Sequence, residues 1–170
     1  TIQIGSLLTA LSGVANVFLA VHAHLVARTG VRPARLALDP PKTLALAWLV
    51  PGLGHWVQGR RLRAAVVFGL LFGLFAFGTV LAEATNLSRE RHFFYWAGQF
   101  MVGLPALAAE FTLGDVSVTG PIPYVDAGLV FGCVAGLLNV LAMIDVFAWS
   151  EAELLGLPHK THEPRPSGAE

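Results

Sequence analysis

The sequence predicts an all-α integral membrane helical bundle with four long spans and one short Pro/Gly-broken segment that either spans or re-enters. Three observations carry that prediction. Of 170 residues, 55% are hydrophobic and only 13% charged, whereas a soluble domain carries about 25% charged residues. Four apolar runs reach the roughly 20 residues needed to cross a hydrocarbon core of about 30 Å. The charges stand mainly in the gaps between those runs.

Eleven basic residues balance eleven acidic ones, so no basic field points to nucleic acid and no acidic field to a cationic partner. Cys133 is the single cysteine, which excludes an intramolecular disulfide and a Cys-based zinc or iron–sulfur site within this chain.

In chain order, the first span covers about residues 4–27, and no Lys or Arg precedes it. It therefore reads as a retained span and not as a cleaved leader with a basic n-region. The connector Arg28 to Lys42 contains Pro33, Pro40 and Pro41, which predicts an extended interfacial strap. Its four cations suit anionic lipid head groups. The short run, about 43–57, is interrupted by Pro51 and Gly52. Long spans follow at about 62–84, 93–111 and 126–149, the last two joined by a turn-rich loop holding Gly120, Pro121 and Pro123. Residues 1–157 form one domain, and the polar tail 158–170 lacks the apolar content to bury a core.

Lys and Arg near span ends concentrate on the cytoplasmic side. Five true spans with the N-terminus outside place Arg28, Arg32, Arg35, Lys42, Arg89, Arg91, Lys160 and Arg165 inside, eight cations, against Arg60, Arg61 and Arg63 outside. A re-entrant second segment gives seven against four. The first arrangement is the expectation, with the N-terminus outside and the C-terminus inside.

The turn between the second and third segments carries Pro51, Gly52, Gly54, His55, Trp56, Gly59 and Arg60. The glycines permit positive φ and close backbone approach, Trp56 suits the interface, and His55 is expected to donate to a carbonyl freed near Pro51 or Gly52. Over about residues 43–83 this pattern resembles the two-transmembrane-helix domain family, and bacterial polytopic membrane proteins of unknown function with a Pro-Gly-Leu-Gly turn resemble it still more closely. The resemblance implies paired helices around the turn and a bacterial inner membrane. It implies no reaction, and Val57 departs from the family's aromatic.

Ionisable groups inside spans are costly and face protein or water. His22, His24, Glu83, Glu110 and Asp145 form the candidate intramembrane polar cluster. Ser12-Gly13-Val14-Ala15-Asn16-Val17 is echoed by Ala135-Gly136-Leu137-Leu138-Asn139-Val140, with His22 and Asp145 six positions beyond each Asn. The echo predicts that the first and last spans pack together through Gly13, Asn16, Gly136 and Asn139, and that His22 pairs with Asp145. Gly128, Gly132 and Gly136 form one small-residue stripe and Gly69 and Gly73 another, surfaces that let helices approach where burial provides no driving force.

No catalytic motif appears, and neither an enzyme nor a metal site is expected. The expected function is an accessory or scaffold subunit that packs against other integral membrane subunits or itself. A proton or ion conduit through the polar cluster, and a haem- or quinone-binding redox subunit using His22 or His24, are the competing readings. Membrane lipid is the expected small-molecule partner; haem is not expected, because His22 and His24 differ by two positions and point to different helix faces.

Overall fold

A computed structural model describes residues 2–30, 39–114 and 120–157. Among these are seven α-helices, one 3-10 turn and no strand. The helices are α1 (Ile2–Thr29), α2 (Pro40–Leu49), α3 (Leu53–Val57), α4 (Arg61–Leu81), α5 (Phe93–Phe100), α6 (Leu104–Leu113) and α7 (Val125–Leu154). The 3-10 turn, Thr85–Leu87, joins α4 to α5. Of the expected extended strap Arg28 to Lys42, both ends are helical, Arg28 and Thr29 in α1 and Pro40 to Lys42 in α2, because two prolines can open a helix; residues 31–38, the loop residues 115–119 and the tail from 158 lie outside the described residues.

Three helices, α1, α4 and α7, are long and apolar enough to cross a membrane. The expected long span at 93–111 is not one helix. Met101 to Gly103 interrupt it, and Gly103 adopts φ 82°, ψ −135°, which no helical residue can. Pro105, in the first turn of α6, can begin a helix but not continue one. The Trp96 indole Nε1 donates to Glu110 Oε2 at 3.0 Å. A continuous helix would hold residues fourteen apart about 21 Å from each other. So α5 and α6 fold back as a hairpin.

The short segment at 43–57 does the same. Pro40 and Pro41 open α2, and Gly52 at φ 84° turns the chain into α3. A methyl group on Gly54 would stand 2.7 Å from the Ala47 Cβ, although seven residues of helix span about 10 Å. Of the two expected geometries, the chain adopts the one that turns back.

The long helices set the frame. Gly78 of α4 and Ala82 just past its end pack on Gly128 of α7, while Arg60 and Arg63 at the other end of α4 reach Asp145. The two helices are therefore antiparallel. His24 and Arg28 of α1 bind Glu151 at 3.1 and 3.0 Å, and Ser6 accepts from Arg89. Thus α1 runs parallel to α7. Polar contact between them lies at that one end, through Glu151, with a ring contact of His24 and Phe147 beside it. This corrects the predicted packing of first on last span: Gly13 and Asn16 are exposed, whereas Gly136 and Asn139 are buried in the bundle. The face of α1 that packs inward carries the bulky Leu11, Val14 and Phe18 instead.

The two hairpins enter from opposite ends and meet at the centre. Gly103 packs on the carbonyls of Trp48 and Leu49. Beside that contact, Asn139 is the fifteenth of the thirty residues of α7. One core cluster gathers Leu44, Trp48, Trp96, Phe100, Met143 and Val146, so side chains from both hairpins interdigitate on α7. A second joins Phe75, Leu87, Val102, Ala106 and Ala135.

Candidate functional site

The Pro-Gly turn is clamped onto the last turns of α7. His55 is almost fully buried and its Nε2 lies 3.0 Å from Asp145 Oδ2. The carboxylate only accepts, so Nε2–H donates to it. Arg60 donates to the same oxygen at 2.7 Å, and its guanidinium lies 4.5 Å from the centre of the Trp149 ring. Arg63 reaches Asp145 at 3.4 and 3.5 Å, the outer limit of a hydrogen bond. Gln58 donates to the Val146 carbonyl at 2.8 Å and to Ser150 Oγ at 2.9 Å, and accepts from Arg60 at 3.2 Å.

Local sequence explains why these groups converge. Gly52 and Gly59 hold positive φ at the two ends of the turn, 84° and 79°. Gly54 is needed for closeness: a side chain there would meet Ala47 and Val146. With Gly54 flush against α7, His55 and Gln58 fall opposite Asp145 and Val146. Trp56, on the outer side, is exposed, with Arg61 over its ring at 5.8 Å.

Three expectations change here. His55 does not bind a carbonyl near Pro51 or Gly52; its Nε2 meets Asp145, and its buried Nδ1 has no hydrogen-bond partner among the described residues. Asp145 does not pair with His22, which stands exposed on α1, because α1 contributes only its last turns to this end. Nor do His55 and Asp145 lie on opposite sides, as five full spans would require.

The predicted polar cluster is divided. His24 binds Glu151 beside the Asp145 end. Glu83 is exposed just past the end of α4, at φ 49°. Glu110 lies at the opposite end, ion-paired with Arg89 and accepting from Trp96. Arg89 also lies over the Trp96 ring at 5.0 Å, so each hairpin carries an arginine that is paired with a carboxylate and stacked on a tryptophan.

Between the two clamps runs a buried polar network, of which Asn139 alone belongs to the predicted set. Asn86 donates to Gln99 Oε1 at 2.6 Å and to Thr79 Oγ1 at 3.2 Å, and Gln99 donates to the Asn86 carbonyl at 3.1 Å. Asn139 donates to the carbonyls of Met101 at 2.8 Å and Ala47 at 3.4 Å, joining the tips of both hairpins to α7. The available signal for Asn86 was weak, a lone amide in a connector.

The glycine stripes separate in role. Gly128, Gly132 and Gly136 are used inside the bundle, against Gly78 and Ala82, Gln99, and Gly98 respectively. Gly69 and Gly73 have nothing near them. Chemically the site binds and orients: it holds acids neutralised by arginines, and no group of three His, Cys, Asp or Glu side chains suited to a metal occurs among the described residues.

The comparisons with known proteins give one match. No curated protein and no solved structure matches the chain. A family of unknown function, DUF6677, matches residues 42–157, which takes in both hairpins, α4 and α7 and leaves α1 outside. The matched residues include the Pro-Gly turn, and the paired full-length helices implied by the two-transmembrane-helix resemblance are not formed there, since α2 has only ten residues. The chain belongs to the family of unknown function DUF6677.

Proposed function

We propose that the protein is a three-span membrane protein with two half-depth hairpins that acts as an accessory or scaffold subunit, docking another integral membrane chain or a second copy of itself on α1. The observation that carries this reading is the inverted face of α1. Gly5, Thr9, Ser12, Gly13, Asn16 and Ala20 are all exposed, and their offsets of 4, 7, 8, 11 and 15 describe one helix face. Only 6% of the apolar window of α1 is buried within the chain. A lipid-facing helix has no use for an amide at mid-span, whereas a partner helix approaching a small-residue face can hydrogen-bond it, at about 1–2 kcal/mol. The exposed Gly69 and Gly73 of α4 offer a second, shallower face.

The orientation that fits this topology has the N-terminus outside. Counted along the sequence, nine of the eleven Lys and Arg residues then fall on the Asp145 side and only Arg89 and Arg91 on the other, a clearer bias than either count for five spans or one hairpin.

The test uses full-length protein in mild detergent. Asn16→Leu and Gly13→Leu are expected to release the protein from its oligomer or complex on native electrophoresis while helix content is retained. Unchanged migration of both variants sinks docking through α1.

A further inference from the structure

We propose that the groove between α4 and α7 binds an anionic phospholipid, one acyl chain lying in the groove and the phosphate meeting Arg63. The groove holds about 290 Å³ and is walled by Val66, Val67, Leu70, Leu71, Leu138 and Ala142, with Arg63, His55 and Asp145 at its head. Hydrocarbon walls ending in a cation match an amphiphile and no soluble metabolite.

Dimensions suit an acyl chain. From Arg63 to Leu71 the groove follows eight residues of α4, about 12 Å, most of the depth of one leaflet, and its open side lets a flexible chain lie along its apolar walls.

Charge selects the head group. Arg60 and His55 occupy Oδ2 of Asp145 at 2.7 and 3.0 Å. Arg63 is left with contacts of 3.4 and 3.5 Å, and its side chain is 57% exposed. The one acid at the groove head is therefore already neutralised by Arg60, and the Arg63 guanidinium presents donors in the fork geometry that phosphate oxygens accept. Neither argument depends on α1 or on the oligomeric state, so the site and the scaffold reading stand or fall separately.

The experiment is native mass spectrometry of the full-length protein in mild detergent, with phosphatidylglycerol or phosphatidylcholine of identical chains. The wild type should retain about fivefold more phosphatidylglycerol, the preference expected from one arginine at the membrane surface. Arg63→Gln should abolish that preference while leaving total retention in place. Ala142→Phe, which fills the groove, should reduce retention of both lipids. If that variant fails to fold, Val66→Trp on the exposed rim serves in its place. Equal retention of the two lipids by the wild type, or undiminished retention by a folded groove-filling variant, overturns the proposal.

Discussion

Asn139 donates through Nδ2 to the carbonyl of Met101 at 2.8 Å, at the point where α5 ends and the chain turns toward α6. The same nitrogen reaches the carbonyl of Ala47, in the last turn of α2, at 3.4 Å. The last carbonyls of any helix lack intrahelical partners. In a hydrocarbon environment, broken helices persist only where protein or water satisfies those groups. One amide at the midpoint of α7 thus serves the broken ends of two hairpins.

Asn139→Leu should therefore destabilise the bundle by about 1–3 kcal/mol, the cost of leaving buried carbonyls unpaired. The check is denaturant or thermal unfolding in detergent. A midpoint equal to that of the wild type would mean that the Met101 and Ala47 carbonyls find other partners.

The glycines divide into two behaviours. Gly136→Ala drives a methyl group into the Gly98 carbonyl, and Gly103→Ala combines positive φ with contact on the Trp48 carbonyl. Both should unfold the protein or lower its stability by more than 2 kcal/mol, in the range of overpacking and backbone strain. Gly69→Ala meets nothing within 4 Å and should stay within about 0.5 kcal/mol. Comparable losses at Gly69 and Gly136 would contradict the packing described.

The Arg60–Asp145 contact should appear as coupling and not as a large single loss, because the Asp145 side chain is 47% exposed and solvent screens it. In a double-mutant cycle, Asp145→Asn with Arg60→Gln should couple by about 0.5–3 kcal/mol. Asp145→Asn with Arg89→Gln, at opposite ends of the bundle, should be additive within about 0.5 kcal/mol. The comparison needs only unfolding midpoints for the wild type and the five variants.

Sidedness separates the hairpin topology from five spans. In a Cys133→Ala background, cysteines at Arg61 and Leu157 should be labelled by an impermeant thiol reagent from one side of sealed vesicles and a cysteine at Arg91 from the other. Five crossings would place positions 61 and 157 on opposite sides.

Much of this architecture is legible in the sequence, and the remainder is hidden for definite reasons. Length and hydropathy suffice for α1, α4 and α7. The break at Pro51–Gly52 is readable because proline and glycine stand together there. The break at Met101–Gly103 is not, since the run 93–111 stays apolar past both Gly98 and Gly103 and a hydropathy window averages over them. Gly103 followed by Leu104 and Pro105 was the signal available. The pairing of His55 with Asp145 spans ninety positions, and no local pattern encodes it. It also depended on the hairpin: a segment read as crossing the bilayer carries His55 away from Asp145. The internal echo misled because Gly-x-x-Asn defines a small polar face without specifying what covers it. On α7 the hairpins cover it; on α1 it is exposed.

The joint at Asn139 also bears on how the chain is made. Synthesis runs from α1 toward α7, so both hairpins emerge before the helix that carries their shared hydrogen-bond donor. Until α7 is in place, the ends of α2 and α5 have no amide to receive them and Gly98 no surface to pack on. The segments completed early are those whose satisfaction comes last, and the arrival of α7 makes both hairpins parts of the bundle interior.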